Sequence, residues 1–251
     1  MKAKTQQEVH AHAVEDYPQE ACGLIVVRKG KERYVRCRNL SSAPGEHFVL
    51  SPEDYAAAED AGEIIAIVHS HPDVPARPSD ADRVGCERSE LPWVIVSVMP
   101  GPVIAETMVI EPTGYEAPLI GRAWSHGTLD CWALCRDWYA RERGIDLPDP
   151  PRADGWWDDG VTDLYGDAAI ASAGFRRIGQ DELAPGDLIL MQIRSKNRVP
   201  NHAAVYLGDG LILHHMHGRL SSHDVYGGYW HEMTRSVWRL VAAPKHASGE
   251  P

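Results

Sequence analysis

Short apolar runs separated by polar or turn-forming segments dominate the first half of the chain, a pattern that is typical of strands joined by turns and short helices. One pair of such runs flanks a turn at Lys29-Gly30, as in a hairpin. Ser51 and Pro52 suit the N-cap and the first position of a helix at 52–62, and a second helix is predicted at 79–88. The predicted strands are 23–27, 33–37, 64–68, 93–99 and 103–110.

A breaker-rich stretch around Pro112 and Pro118 interrupts this pattern. Apolar and aromatic residues at helical spacing then predict a long helix at 130–143, and 162–173 is also predicted to be helical. The strands predicted beyond it are 188–193, 203–207, 211–215 and 237–242, with a tight turn at 208–210. We therefore predict two α+β domains, 1–111 and 126–245, joined by a linker at 112–125 and followed by a tail at 246–251.

The composition narrows the classes of function. The 251 residues carry a formal net charge of -11, which argues against binding to a nucleic-acid backbone. No apolar run is long enough to cross a bilayer, and the polar segment 1–20 lacks the apolar core of a secretory signal, so we expect no membrane insertion. The five cysteines are odd in number and widely spread, which predicts reduced thiols and a cytosolic state at synthesis.

A metal site is indicated where His69-Ser70-His71-Pro72 follows the buried strand directly. Residues i and i+2 of a strand point to one face, so both imidazoles can reach one ion. Asp82, at the start of the next helix, offers a carboxylate, and two His, one Asp and water complete a tetrahedral zinc site with an open position. Each part has a simpler interpretation: the His-x-His pair could be incidental, and Ser79 with Asp82 could be a helix cap.

The run Tyr17-Pro18-Gln19-Glu20-Ala21-Cys22-Gly23-Leu24, with His69-Ser70-His71-Pro72 and then Ser79 and Asp82, resembles the JAMM (MPN-plus) metallopeptidases over residues 8–110. The resemblance implies an α/β sandwich and the hydrolysis of an amide or isopeptide bond. It also implies three zinc ligands, a general base and acid, and a residue that stabilises the oxyanion. These are His69, His71 and Asp82 as ligands, Glu20 as the base, which acts through the zinc-bound water, and Ser79 at the oxyanion.

A cysteine nucleophile is indicated by Asp130-Cys131-Trp132-Ala133 at the start of the long predicted helix. A thiol in the first helical turn faces the positive end of the helix dipole, so we expect its pKa to be lowered. His202 begins a predicted strand, and pairing across the hairpin turn can bring His214 to its ring. His215 is the alternative third member, and a buried structural role is the alternative for Cys131.

These residues, together with His126-Gly127, Leu183-Ala184-Pro185-Gly186-Asp187-Leu188 and 201–210, resemble the NlpC-type cysteine peptidases over residues 120–243. The resemblance implies a papain-like core, with Cys131 as nucleophile, His202 as base and His214 as the third polar residue. Members of that family commonly cut stem peptides of the bacterial cell wall. Many of them have Ser-Gly after the nucleophile, where this chain has Trp132-Ala133, so the details of its substrate are open.

The combination of the two domains in about 250 residues resembles the K family of tail assembly proteins of lambda-like bacteriophages. The resemblance implies a tail-tip component that carries a wall peptidase, is made in the host cytoplasm and ends in the virion tail. Its partners would be a peptidoglycan peptide and other tail-tip proteins, and the zinc half would trim a tail protein during assembly. Two alternatives stay open: a structural tail-tip protein with vestigial sites, and a cytosolic processing peptidase that uses only the zinc site.

Overall fold

A computed structural model describes residues 1–241 and divides the chain into two compact units, Met1–Glu116 and a second one that begins at Ala117. Both units combine helices with a single β-sheet, which confirms the predicted α+β class. Within the described residues, none of the helices has the length and apolar character that a membrane span needs.

The first unit contains three helices and five strands. The elements are α1 (Ala3–Asp16), β1 (Cys22–Arg28), β2 (Lys31–Cys37), α2 (Pro52–Ala61), β3 (Glu63–Pro72), α3 (Asp80–Ser89), β4 (Trp93–Met99) and β5 (Val103–Ile110). The sheet order is β2-β1-β3-β4-β5. Of the four neighbouring pairs, β3 and β4 run parallel and the other three pairs are antiparallel.

The helices of this unit cover both faces of the sheet. Val9 and Ala13 of α1 pack with Val68 and Val96 on one face, whereas Ala58 of α2 and Cys86 of α3 belong to the cluster on the other. The result is the α/β sandwich that the JAMM resemblance implied. The sequence prediction lacked α1, because its buried apolar stripe is only one turn long and the rest of the helix is polar.

Helix α3 lies close to the sheet at Gly85. A Cβ atom at that position would be 2.4 Å from Cη2 of Trp93, so a side chain there would displace the ring. Trp93 in turn meets the edge of His69, with ring centroids 5.4 Å apart. Close contact between Gly85 and Trp93 therefore holds the start of α3, which carries Asp82, near the histidines of β3.

Between residues 117 and 241, the second unit has three α-helices and a six-stranded antiparallel sheet. The elements are α4 (Cys131–Arg143), α5 (Asp167–Ser172), β6 (Phe175–Ile178), β7 (Leu188–Met191), β8 (His202–Gly208), β9 (Leu211–His214), β10 (Ser222–Val225), α6 (Tyr229–Met233) and β11 (Thr234–Leu240). The sheet order is β10-β9-β8-β7-β11-β6. Leu134, Cys135 and Tyr139 of α4 share one apolar cluster with Leu190 and Val205 of the sheet.

The helix predicted at 162–173 is wrong in its first five residues. Asp159 accepts hydrogen bonds from the backbone N–H groups of Val161 and Thr162, and Asn197 donates to the carbonyl of Thr162, so this segment is held as a loop. Helix α5 begins only after Gly166, its N-cap. The last predicted strand, 237–242, begins earlier, at Thr234, and Ala242 lies outside the described residues.

The breaker-rich stretch between the two sheets is held by hydrogen bonds. The backbone N–H groups of Thr113 and Tyr115 donate to Glu87, which belongs to the first unit. Arg122 belongs to the second unit, where it is completely buried, pairs with Asp137 and receives a backbone bond from Ser221. The domain and linker boundaries predicted from the sequence stay a prediction.

Candidate active sites

His69, His71 and Asp82 form a buried cluster in the first unit. The Nε2 atoms of the two histidines are 3.0 Å apart, and Asp82 lies 3.1 Å from His69 and 3.4 Å from His71. Alternation along β3 turns both imidazoles to one face, and α3 brings the carboxylate against them. Two side chains of β3 and one from the start of α3 thus present their ligand atoms to one point.

These distances fit a tetrahedral metal ion. Ligand atoms about 2.0–2.1 Å from a zinc ion at tetrahedral angles are separated from one another by about 3.3 Å, which is close to the spacing of this cluster. Nδ1 of His71 lies 3.2 Å from the carbonyl of Pro75, a partner that leaves the Nε2 lone pair for a metal. His69 is held by the stacked ring of Phe48, with centroids 4.7 Å apart. The donor set and its spacing therefore suit a metal ion.

The cluster carries negative charge that favours a cation. Burial opposes the ionisation of Asp82, but hydrogen bonds from His69 and His71 outweigh it and hold the pKa of this carboxyl far below its usual range. Burial lowers the pKa of His69. For His71 burial acts in the same direction, yet the bond to Asp82 raises the pKa overall.

Glu20 lies beside this cluster because of the register of β1 and β3. Cys22 is opposite His69 in this antiparallel pair, so continuing the register by two residues places Glu20 opposite His71. Its N–H donates to Pro44 and its carbonyl accepts from Asn39, which fixes the backbone at this point. Glu20 is only 6% exposed, and burial, with Asp82 adding to it, raises the pKa of its carboxyl to about 8.

Ser79 is the N-cap of α3 and forms a capping box with Asp82. Its hydroxyl donates to Asp82 over 2.8 Å, and its backbone N–H donates to the same oxygen over 2.7 Å. A hydroxyl has one hydrogen, and here that hydrogen points to the carboxylate. The geometry shows that Ser79 orients Asp82, and its role at an oxyanion stays a prediction.

Cys131 is the first residue of α4 and is 4% exposed. Its N-cap, Asp130, accepts from the N–H of Ala133, which fixes where the helix begins. The Sγ atom lies 3.7 Å from the hydroxyl of Tyr165 and is hydrogen-bonded by the backbone of Ala203 in β8. The thiol therefore lies against the strand that begins with His202.

The expected lowering of the thiol pKa is wrong. Burial, and then the neighbouring Asp130 carboxylate, raise the pKa of Cys131 to about 11, although the bonds from Ala203 and Tyr165 act in the opposite direction. The helix dipole stabilises a thiolate by at most about 2 kcal/mol. Removing the thiolate from water costs more than this, so burial decides the direction of the pKa shift. In the protein alone this cysteine is a thiol, so any reaction needs a base beside it.

His202 and His214 meet across the β8–β9 hairpin, as the turn at 208–210 led us to expect. Nε2 of His202 lies 3.0 Å from Nδ1 of His214, and both rings are buried. Burial lowers the pKa of His202 well below 6.5 and also lowers that of His214, although Asp224 opposes the latter shift. Neutral imidazoles can accept a proton, which is what a protonated thiol requires.

His215, the alternative to His214 as the third residue of the cysteine site, makes contacts away from His202. Its Nε2 atom donates to the carbonyl of Arg219 over 3.1 Å, and its ring meets the edge of Trp124. Burial lowers the pKa of His215 to about 4. The structure thus brings His214, and not His215, to the ring of His202.

Two side chains near the cysteine site were missed by the sequence analysis. Tyr165 contacts the thiol, and its ring also lines a cavity of about 380 Å³ whose wall includes Trp132 and Ile170. Asp224 lies 3.0 Å from Nε2 of His214. The spacing of residues in the chain predicts neither contact. Tyr165 is brought to the cysteine site by the loop before α5, and Asp224 by the edge strand β10.

Comparison with known proteins agrees with both domains. Residues 2–110 match the family described as prokaryotic homologs of the JAB domain, and residues 121–239 match the NlpC/P60 family. Over 94 residues the chain is 34% identical to the CysO-cysteine peptidase of Mycobacterium tuberculosis, a match that covers 35% of this chain and 64% of that one.

Two relatives match most of the chain. The tail tip assembly protein K of Escherichia phage N15 is 41% identical over 239 residues, or 95% of each chain. The protein of the same name from Escherichia phage lambda is 40% identical over 190 residues, which cover 76% of this chain and 88% of that one.

Fold, sites and comparisons together define a hydrolase of the peptidase type, with a JAB domain followed by an NlpC/P60 domain. At this level of identity and coverage, the chain belongs to the tail tip assembly protein K family.

Proposed function

We propose that the chain is a bifunctional peptidase of a phage tail tip. In this proposal the cysteine site cuts stem peptides of the host peptidoglycan, and the metal site processes a tail protein during assembly. The observation that carries it is the hydrogen bond between His202 and His214, since it orients a buried base at the start of the strand whose Ala203 backbone bonds the Cys131 thiol. The name of the phage relatives supports a place in the tail tip. Synthesis in the host cytoplasm before assembly is part of the proposal.

The cysteine site would act by acyl transfer. His202 takes the proton of the Cys131 thiol, and the sulfur attacks the carbonyl carbon of the scissile amide. The C–N bond then breaks, and the amine leaves with the proton that His202 held. Water, deprotonated by His202, attacks the thioester that remains, which releases the carboxylic acid and restores the thiol. His214 keeps the ring of His202 in place throughout.

At the metal site the proposal assigns zinc to His69, His71 and Asp82. When bound, the ion would polarise a carbonyl and lower the pKa of a water molecule. Glu20 would act as the general base and acid of this site, because Asn39 holds its backbone and its carboxyl is close enough to His71 for the charge of that ring to act on its pKa. Ser79 keeps Asp82 in the orientation that the cluster needs.

A purified stem peptide, incubated with the protein and with Cys131→Ala, tests the cysteine site. We expect the wild type to release a fragment and Cys131→Ala to release none. Cys135→Ala is the matched control, because it removes a buried thiol one helical turn further along. Equal cleavage by wild type and Cys131→Ala would remove Cys131 from the mechanism.

The second candidate is a structural tail-tip protein whose sites are dispensable. The name of the relatives refers to assembly, and the raised pKa of Cys131 is that of an unreactive thiol. Complementation separates the two functions. Phage carrying Cys131→Ala and Glu20→Ala assemble and infect normally if catalysis is dispensable, and fail at wall entry or at assembly if it is not.

A further inference from the structure

Asp224 extends the pair of histidines by one more member. Its Oδ2 atom lies 3.0 Å from Nε2 of His214, whose Nδ1 atom lies 3.0 Å from Nε2 of His202. The three side chains form a continuous line of hydrogen bonds that ends at His202, the first residue of β8. The next residue of that strand, Ala203, bonds the Cys131 thiol through its backbone.

The backbone explains why the carboxylate is there. In the β9–β10 pair His214 is opposite Ser222, and Asp224 is opposite Ile212, so Asp224 is the diagonal neighbour of His214 on the same face. The indole of Trp230 packs edge to face with His214, with an interplanar angle of 75° and centroids 4.4 Å apart, and limits rotation of the ring. The carboxylate and the indole together leave His214 one orientation.

The direction of each hydrogen bond follows from the chemistry of the atoms. A carboxylate only accepts, so Nε2 of His214 must carry the hydrogen. In a neutral imidazole the other nitrogen is then an acceptor, so Nδ1 of His214 receives its bond from Nε2–H of His202. Nδ1 of His202 is left with a lone pair. Burial keeps the pKa of both rings below 6.5, which makes them neutral at pH 7.

We propose that Asp224 is a positioning residue of the cysteine site, which sets the tautomers of His214 and His202 so that Nδ1 of His202 accepts the proton of Cys131. The inference rests on the proposed peptidase function. It adds a residue that acts through two imidazoles without touching the substrate. Other charged or titratable groups near this line are Arg219, 3.8 Å from Asp224, and His215, the neighbour of His214.

The tautomers can be measured without any substrate. Nitrogen NMR of the full chain labelled at histidine reports which ring nitrogen carries hydrogen, and His202→Gln and His214→Gln assign the signals. We expect hydrogen on Nε2 of both rings at pH 7. Hydrogen on Nδ1 of either ring overturns the proposal, whether or not the protein cuts a peptide.

The kinetic test compares Asp224→Asn with a matched control, Asp209→Asn. The amide of Asn can donate as well as accept, so it no longer imposes one tautomer on His214. We expect the kcat for stem peptide to fall about ten- to a hundredfold with little change in KM, as for other residues that orient an active ligand or base. The acid limb of the pH profile should move to lower pH, because Asp224 raises the pKa of His214.

Asp209 lies in the turn of the β8–β9 hairpin, is exposed and adopts a left-handed conformation that Asn also favours, so Asp209→Asn removes the same charge without reaching the histidines. It should leave kcat and the pH profile unchanged. Asp224→Glu, which keeps the carboxylate, should recover part of the lost rate. An Asp224→Asn protein with the wild-type kcat and pH profile contradicts the proposal. A wild type that cuts nothing counts against the peptidase function, while the NMR result still decides the tautomers.

Discussion

Nε of Arg152 donates to Oδ2 of Asp130 over 2.6 Å, and the two side chains are only 2% and 3% exposed. Asp130 at the same time caps α4 through Ala133 and accepts from the N–H of Gly127. A loop residue that is distant in sequence therefore fixes the point at which the helix begins, and with it the position of Cys131.

Replacing Arg152 with Met should lower the free energy of unfolding of the second unit by about 3–5 kcal/mol, because it leaves the Asp130 carboxylate buried without its partner. Urea unfolding followed by tryptophan fluorescence measures this unit, since every tryptophan except Trp93 lies in it. The control is Arg177→Met, from the exposed pair with Asp167, for which the expected loss is less than about 1 kcal/mol. Equal losses for the two variants would show that burial of the Asp130 pair is unimportant.

Zinc binding should depend on Asp82 and not on its neighbour Asp80. Both begin the same helix, but only Asp82 reaches the histidines. Protein purified without chelator should hold about one zinc ion per chain by elemental analysis. Asp82→Asn should hold much less, and Asp80→Asn should match the wild type. A wild type without zinc, even after incubation with the metal, would contradict the assignment.

Ser79→Ala distinguishes two roles of the hydroxyl. If Ser79 mainly orients Asp82, zinc affinity should fall about tenfold and the helix should lose about 1 kcal/mol from its cap. If it stabilises an oxyanion, zinc affinity should be unchanged, and kcat should fall by about two to three orders of magnitude. Zinc titration with a fluorescent competitor, beside kinetics of the loaded protein, separates these results.

The reactivity of Cys131 toward iodoacetamide should keep rising with pH beyond 9. The thiolate is the reacting form, and burial raises the pKa of Cys131 to about 11, so the thiolate fraction grows through the whole alkaline range. Cys131→Ala gives the background from the other four thiols, all of which are buried. A rate that is already constant near pH 7 would instead indicate a preformed ion pair with His202.

Most strands, and the residues that come together at each site, were predictable from the sequence. The alternation of apolar and polar residues, a tight turn and the spacing of motifs are all local signals. The turn at 208–210 was enough to expect His202 beside His214, and the His-x-His spacing was enough for the metal cluster. Properties that depend on burial, such as the pKa of a side chain, were not predictable from the sequence. The pKa of Cys131 is set by the packing of α4 on the sheet, a long-range property that the helix-dipole argument leaves out.

Residues that contact and orient the site residues were also missing from the prediction. Asp224 reaches His214 from an edge strand with no apolar pattern of its own, and Tyr165 lies in a segment whose helix was predicted too long. Helix α1 was absent from the prediction because Val9 and Ala13 alone give little periodicity. In each case the position is decided by partners that are far apart in the chain.

Cleavage of purified peptidoglycan, with the released fragments identified by mass spectrometry, tests the bifunctional account most directly. The account predicts that the wild type and Glu20→Ala release the same stem-peptide fragments, and that Cys131→Ala and His202→Gln, although folded, release none. Fragments released equally by Cys131→Ala, or lost in Glu20→Ala instead, would contradict the assignment of wall cleavage to the cysteine site.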